Sequence, residues 1–466
     1  MFSREDLTGP AGIDEDGQMR PVTRALAAYA ATCSFDTLPE RVRIEAVRAF
    51  LNWFGCAVGG SGEDMVVKAH AAIAATGGAA QASIIGRAAQ TDMVSAAFLN
   101  CLSSSALAYD DTHLATVTHP TGPVASALLA HAETALLSGK DILNALALGI
   151  ELQCRLSNVI LMPPAKANAA LYITGVTGPI GAAAAVGRAM AFDERRMRWA
   201  IGHAATQGAG FRATHGAMSG LVVPAYAARA GFFAAHLAAN GVECTENVLE
   251  APMGFVEIHS SGAKLDYATD GLGEQFEMLA NAYKPYPSGI VVHPVIDACR
   301  DIAMQVPVDA VVKHVRLHVH PLAIKLAGRQ HPKDAMEAMV SIQHWAAAIF
   351  VRGAAGIAEI RQEAIDHPAM IAFRERVTGI EDSSLERDQA RAEVELSDGR
   401  RIVSFVEHAL GSISRPMSDE ELDRKFLGQC RMVFNAAKSQ RLLELMREMT
   451  EENDVGAAVS NLLNSR

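Results

Sequence analysis

Residues 122–158 read GPVASALLAHAETALLSGKDILNALALGIELQCRLSN. Apolar side chains recur at helical spacing in both halves, and Ser138-Gly139 divides them. The stretch predicts two long helices, Gly122–Leu137 and Lys140–Asn158, with a very short connection. That combination points to a helical bundle.

The same pattern extends outward. On the N-terminal side it predicts helices at Val22–Ala31, from Pro39-Glu40 to the Gly59-Gly60 stop, and at Glu63–Ala75 before Gly77-Gly78. Val42, Ile44, Val47, Phe50, Leu51 and Phe54 supply most of the second helix's apolar surface. Ala82–Ile85 is a short extended piece. Thr91 is placed to cap a helix running through Ala108. The first twenty residues are polar and read as a loose arm. On the C-terminal side, helices are expected at Gly178–Met190, Glu194–Thr206, Val223–Ala239 and Thr245–Leu249.

The period changes near Gly271–Pro287. After a helix at Val291–Ala303, residues 311–320 alternate. Val311, Val315, Leu317 and Val319 share one face that only Lys313 interrupts, and His314, Arg316, His318 and His320 share the other, as in a half-buried strand. Arg391–Ser397 and Arg400–His408 alternate around Asp398-Gly399, a type I′ hairpin signal. Helical sequence, Ala335–Ala354 and Gly356–Ile365, lies between. Ser418 and Glu421 form a capping box that opens a further helix. The chain is therefore expected to be mainly α: a large all-α domain, 1–270 plus 412–466, and a smaller α+β domain, 271–411.

Composition limits the partners. Half of the 466 residues are hydrophobic, only 6% are aromatic, and the net charge is −11. Nucleic acid is excluded as the main partner, because phosphate binding needs a basic face. An anionic substrate would require cations gathered in a cleft. The seven scattered cysteines, with no Cys-x-x-Cys, read as reduced thiols of a cytoplasmic protein. The N-terminal MFSREDLTGPAGIDEDGQ lacks a signal-peptide core. Charged residues or histidines interrupt each apolar run, so no membrane span is expected.

Three polar clusters are candidates for chemistry. Tyr109-Asp110-Asp111-Thr112-His113 and Thr118-His119-Pro120-Thr121-Gly122 lie in a loop between helices, where carboxylates beside imidazoles tune a general base. The helix entered at Gly122 offers free N–H groups to a carboxylate. The same loop serves equally as a connector in which Asp110 or Asp111 caps backbone amides. Asp111, His113 and His119 are conceivable metal ligands, but HExxH is absent and no Cys/His pair has finger spacing, so no metal is expected. Tyr283-Lys284-Pro285-Tyr286-Pro287 stiffens the backbone around Lys284, which either holds a substrate carboxylate or is a solvated linker lysine. Gly208–Gly220 contains Arg212 and His215. Its glycines are out of P-loop register, so it supplies positive potential or is a plain connector. His314, His318 and His320 read as solvated sheet surface, and His344 as core.

Together these segments resemble the MmgE/PrpD family, which includes 2-methylcitrate dehydratase, cis-aconitate decarboxylase and iminodisuccinate epimerase. The matching stretches are Tyr-Asp-Asp-Thr-His at 109–113, His-Pro-Thr-Gly at 119–122, Thr-Gly-Val-Thr-Gly-Pro-Ile-Gly-Ala-Ala-Ala-Ala at 174–185, Lys-Pro-Tyr-Pro at 284–287 and Pro-Met-Ser-Asp-Glu-Glu-Leu at 416–422. The resemblance implies an all-α domain with an α+β lid, a homodimer, and a site between the domains. It places Asp111, Thr112, His119 and Lys284 at the substrate. Three positions depart from the family pattern: Ala108 stands where an aspartate is usual, Tyr172 where a histidine is, and Gly220 where a lysine is.

The expected function is a cofactor-independent lyase or isomerase acting next to a carboxylate of a small polycarboxylate, whether dehydratase-, decarboxylase- or epimerase-like. His119 is expected as the acid or base, with Asp111 tuning it and Tyr172 as a variable acid. Thr112, Lys284, Arg212 and His215 are expected to bind substrate. The alternative is a non-catalytic paralogue that binds a small carboxylate, for which Tyr172 and Gly220 speak.

Overall fold

The computed structural model describes residues 21–465, and the expected N-terminal arm lies outside them. The described chain is mainly helical and divides into two units. The first comprises 21–106, 110–281 and 422–465; the second comprises 107–109 and 282–421.

In the first unit the longest helices are Glu40–Gly60, Gly139–Leu161, Ile173–Ala189 and Met218–Ala239. Ser138 and Asp141 form a reciprocal capping box at the head of Gly139–Leu161. Small residues set the packing. At the crossing of Gly139–Leu161 with Ile173–Ala189, a Cβ on Gly149 would lie 2.6 Å from the Gly181 carbonyl, and one on Gly181 2.5 Å from the Gly149 carbonyl. No larger residue fits at this backbone contact. The core around it is built from Leu152, Leu156, Val176, Ile180 and Phe232.

Several local expectations are corrected. Asp92, not Thr91, caps the helix Met93–Ser105, its side chain accepting from the Ser95 N–H. Residues 246–250 form turns, and the short helix comes later, at Phe255–His259. Met218–Ala239 is long and apolar enough to cross a membrane, contrary to the expectation of no such run. Its buried side packs on Met93–Ser105, Ile173–Ala189 and Glu194–Ala205, as a core helix does.

Residues 271–281, read from the sequence as part of the α+β domain, belong to the helical unit. The cause is Arg155, buried and ion-paired to Glu151 at 2.6 Å, whose guanidinium donates to the carbonyls of Asp270, Gly271 and Gln275. The Met278 N–H donates to the same Glu151.

The second unit is built on a four-stranded sheet in the order 401–406, 390–396, 312–319, 377–381. The strand Val377–Glu381, absent from the sequence reading, runs parallel to Val312–Val319. A bulge between Val312 and His314 explains the interrupted face: Val312 turns into the core and Lys313 out to Glu395, 3.0 Å away. The hairpin turn is not type I′. Leu396 and Arg400 pair across three residues, and only Gly399 has a left-handed backbone, φ +86°. Leu107 joins this unit's apolar core, and the Tyr109 hydroxyl donates to the Pro285 carbonyl at 2.9 Å. Residues 412–421, read as part of the all-α domain, also sit here: Asp297 accepts from the Leu410 N–H and pairs with Arg415.

Candidate active site

The acidic loop lies in the helical unit, between Met93–Ser105 and Thr121–Ala132. Its shape is held by a chain of buried hydroxyls. His113 bridges the Thr116 hydroxyl (2.7 Å, Nδ1) and the Glu277 carboxylate (3.1 Å, Nε2). Thr116 meets Thr118 at 2.8 Å, Thr118 donates to Ser157, and Ser157 meets Thr177. Satisfied networks of this kind fix one arrangement, because breaking any link leaves a buried polar group without a partner. His113, among the conceivable metal ligands, is thereby engaged on both ring nitrogens. Among the described residues no group of three or more His, Cys, Asp or Glu is placed to hold a metal ion.

His119 sits at the end of this network. Its backbone N–H donates to the Thr174 hydroxyl at 2.9 Å. Its Nδ1 lies 2.7 Å from the Asp111 carbonyl and 3.2 Å from the Thr112 hydroxyl. A carbonyl only accepts, so Nδ1 carries the hydrogen and Nε2 the lone pair of the neutral ring. The carboxylate nearest the ring is that of Asp110, 3.7 Å from Nδ1.

The Asp111 carboxylate makes its hydrogen bonds elsewhere, while the His119 charge still acts on it. It is fully buried and accepts from the Thr121 N–H, from the Thr121 hydroxyl at 2.5 Å and from Asn281 at 2.5 Å. Burial, then the neighbouring Asp110 charge, pushes its pKa above the usual carboxylate range, while the Thr121 and Asn281 hydrogen bonds oppose that. The helix N-terminus expected to hold a ligand's carboxylate is occupied by Asp111. Thr112 is wholly buried with its hydroxyl turned to His119.

Tyr172 packs edge-on to His119, with ring centroids 6.3 Å apart, and to His215 at 4.8 Å. Burial, then Asp110, raises its phenol well above the ordinary value, so it stays protonated. His215 is pushed down by burial, then by Arg212 and His119. Arg212 is exposed and donates to the Leu171 carbonyl at 3.0 Å. Lys166 is exposed on a two-residue ladder with 260–261. The helical unit thus gathers Asp111, Thr112, His119, Tyr172, His215 and Arg212 around Asp110.

Lys284 belongs to the second unit. It is 4% exposed, which removes the solvated-linker reading. Tyr286 of the same segment donates to Asp297 at 2.5 Å and is met by Arg300 at 3.0 Å, anchoring the stiff turn. A surface recess of about 370 Å³ beside Glu133, Asp454 and Ser460 contains none of these residues.

The sequence reading held Asp110 and Thr121 only as members of the candidate loop, without these partners, and missed Thr174 and Asn281 as site-forming groups. Thr121 carried a signal, standing one residue before a helix start. Asn281 carried none, because it reaches Asp111 from far along the chain.

The MmgE/PrpD N-terminal domain family matches residues 24–268, and the MmgE/PrpD C-terminal domain family matches residues 286–451. Among curated proteins, the chain is similar to cis-aconitate decarboxylase of Homo sapiens, 25% identical over 77% of each chain. It is also similar to the cis-aconitate decarboxylase-like protein oryM of Aspergillus oryzae, 24% identical over 93% of this chain and 95% of that one. A third is cis-aconitate decarboxylase of Mus musculus, 22% identical over 77% of this chain and 76% of the relative.

Proposed function

The chain belongs to the MmgE/PrpD family, and from that premise we propose that it is a cofactor-independent lyase or isomerase of a small polycarboxylate. The observation that carries the reading is the His119 tautomer. With Nδ1–H engaged by the Asp111 carbonyl, Nε2 holds the lone pair of a base.

In this reading His119 takes a proton from the carbon next to a substrate carboxylate. Tyr172 donates a hydrogen bond to the oxygen on which charge develops, and Arg212 and Lys284 supply positive charge. Loss of a β-substituent then gives elimination, loss of carbon dioxide gives decarboxylation, and return of the proton on the opposite face gives epimerisation. The relatives' printed names favour decarboxylation of a cis-aconitate-like tricarboxylate.

The test is incubation with cis-aconitate and a panel of di- and tricarboxylates in deuterated water. NMR follows deuterium incorporation and product, and carbon dioxide release is measured in parallel. Binding by calorimetry without exchange or product for any member would replace this reading with that of a non-catalytic carboxylate binder.

We further propose a cytoplasmic homodimer. The free, mostly buried cysteines suit a reducing compartment. Tyr226 and Phe233, both more than half exposed on Met218–Ala239, suit a subunit contact. Light scattering at micromolar concentration is expected to give twice the chain mass, and a monomer mass would reject the dimer.

A further inference from the structure

One residue of the acidic loop has a backbone conformation that its side chain resists. Val117 adopts φ +56°, in the left-handed region, which a β-branched residue rarely enters because its Cβ crowds the carbonyl. Its side chain is 38% exposed, so its own burial offsets little of the cost. Such a conformation persists only where the surroundings over-determine it. The neighbours of Val117 supply that constraint. The His113 N–H donates to the Thr118 carbonyl at 2.8 Å and closes the turn, and the Thr116 and Thr118 hydroxyls on either side of Val117 meet at 2.8 Å. The His113 ring, wholly buried, spans from the Thr116 hydroxyl to the Glu277 carboxylate. His119 follows directly on Thr118.

The far end of this clamp is anchored. The residue after Glu277, Met278, donates its N–H to Glu151, which is ion-paired to Arg155. Arg155 holds the carbonyls of Asp270, Gly271 and Gln275 just upstream. Four residues after Glu277, Asn281 donates to the Asp111 carboxylate at 2.5 Å. The segment 277–281 thus grips the acidic loop at two points, Asp111 and His113, on either side of Thr112. Between them they fix the strand whose Asp111 carbonyl meets His119 Nδ1. The Glu277 side chain is 33% exposed, so it is not there to fill a core. Its hydrogen bond from His113 is the main cause that holds its carboxyl below the usual range.

We propose that Glu277 and His113 are positioning residues that hold the turn at Val117 in its left-handed form and so keep the Asp111 carbonyl on His119 Nδ1. The inference rests on the reading of His119 as the base, and adds what keeps its lone pair on Nε2. When the clamp is cut, Val117 relaxes to negative φ, the link from Thr118 to His119 turns, and Nδ1 loses its acceptor. Which ring nitrogen carries the hydrogen is set by such a bond. Without it the imidazole reverts to the free mixture, in which the Nε2–H form predominates.

The experiment is NMR of the full-length protein isotope-labelled in its histidine rings, at a pH where His119 is neutral. His119 is identified by its loss in His119→Gln. No substrate is used, so a failure to find turnover, which would remove the catalytic reading, leaves this result standing. The parent should show His119 nearly all as the Nδ1–H tautomer, and Glu277→Ala should reduce that form to the minority. Glu277→Gln, whose amide oxygen still accepts from His113, should retain it. In the Glu277→Ala background, Val117→Asn should restore it, because asparagine enters the left-handed region readily. A residue that only stabilised the fold would not be rescued from that position. An unchanged His119 tautomer in folded Glu277→Ala overturns the proposal, and so does a loss that Val117→Asn fails to restore. If Glu277→Ala does not fold, Thr116→Val, which cuts the same clamp with little change in volume, is read by the same criteria.

Discussion

His119 Nδ1 lies 2.7 Å from the backbone carbonyl of Asp111, whereas the Asp111 carboxylate is turned away to Thr121 and Asn281. One residue thus orients the imidazole through its main chain and fastens the loop through its side chain. The carboxylate close to the ring is that of Asp110.

His119→Ala is expected to lower turnover by about 10²–10⁴-fold, the usual contribution of a positioned acid or base, with the circular dichroism spectrum unchanged. Activity within a few-fold of the parent would transfer the role to another group.

Lys284→Met keeps the apolar stem and removes a buried charge. We expect polycarboxylate affinity to fall by about 2–5 kcal/mol, and monocarboxylate affinity to fall less. Calorimetry on both proteins checks this, and equal affinities would sink the assignment.

Reverting the family departures should give opposite results at two positions. Ala108 adopts φ +47°, a left-handed conformation that aspartate tolerates better than alanine, so Ala108→Asp should hold or raise the melting temperature. Gly220 faces the Thr214 carbonyl, which a Cβ would approach to 2.8 Å. Gly220→Ala, and still more Gly220→Lys, must displace the turn carrying Arg212 and His215, at a cost of about 1–3 kcal/mol. Thermal unfolding that ranks Gly220→Lys at or above the parent would contradict this.

The stability contributed by His344 and His131 should fall as pH drops from about 6.5 towards 4, whereas Glu151, whose carboxyl burial raises to about 7, acts with the opposite sign over the same range. His344 accepts from Arg374 on Nδ1 and faces the Glu359 carbonyl with Nε2. Burial, and then Arg374, holds its pKa down to about 4, against the Glu359 carbonyl. His131 is held to about 4 by burial and His236. Both are neutral in the folded chain while the unfolded chain takes up protons. Their stabilisation is complete above the unfolded pKa and is lost as pH falls through that window, about 3 kcal/mol each at full effect. Urea titrations of the parent and of His344→Gln across this range check it: the stability of the parent relative to the variant should fall as pH drops, and a constant difference would contradict the assignment.

Much of the helical framework was legible because its signals are local. The Ser138 and Ser418 caps lie within a turn of their partners, and helical periodicity reports a buried stripe whatever it packs against. The strand Val377–Glu381 was not legible: it has few residues, and its burial comes from pairing with a segment far away in sequence. The acidic loop itself stood out by composition, but its division of labour did not.

By itself the sequence determined the mainly helical architecture and the family, and it singled out the loop segments from which a site is proposed. Only the tertiary structure decided which carboxylate faces His119, that Asn281 and Thr121 hold Asp111, that Lys313 leaves its strand face at a bulge, and that Lys284 is buried. The physical reason is range. Caps, turns and periodicity are settled between near neighbours, whereas side-chain direction, burial and charge balance depend on segments that meet only when the chain has packed.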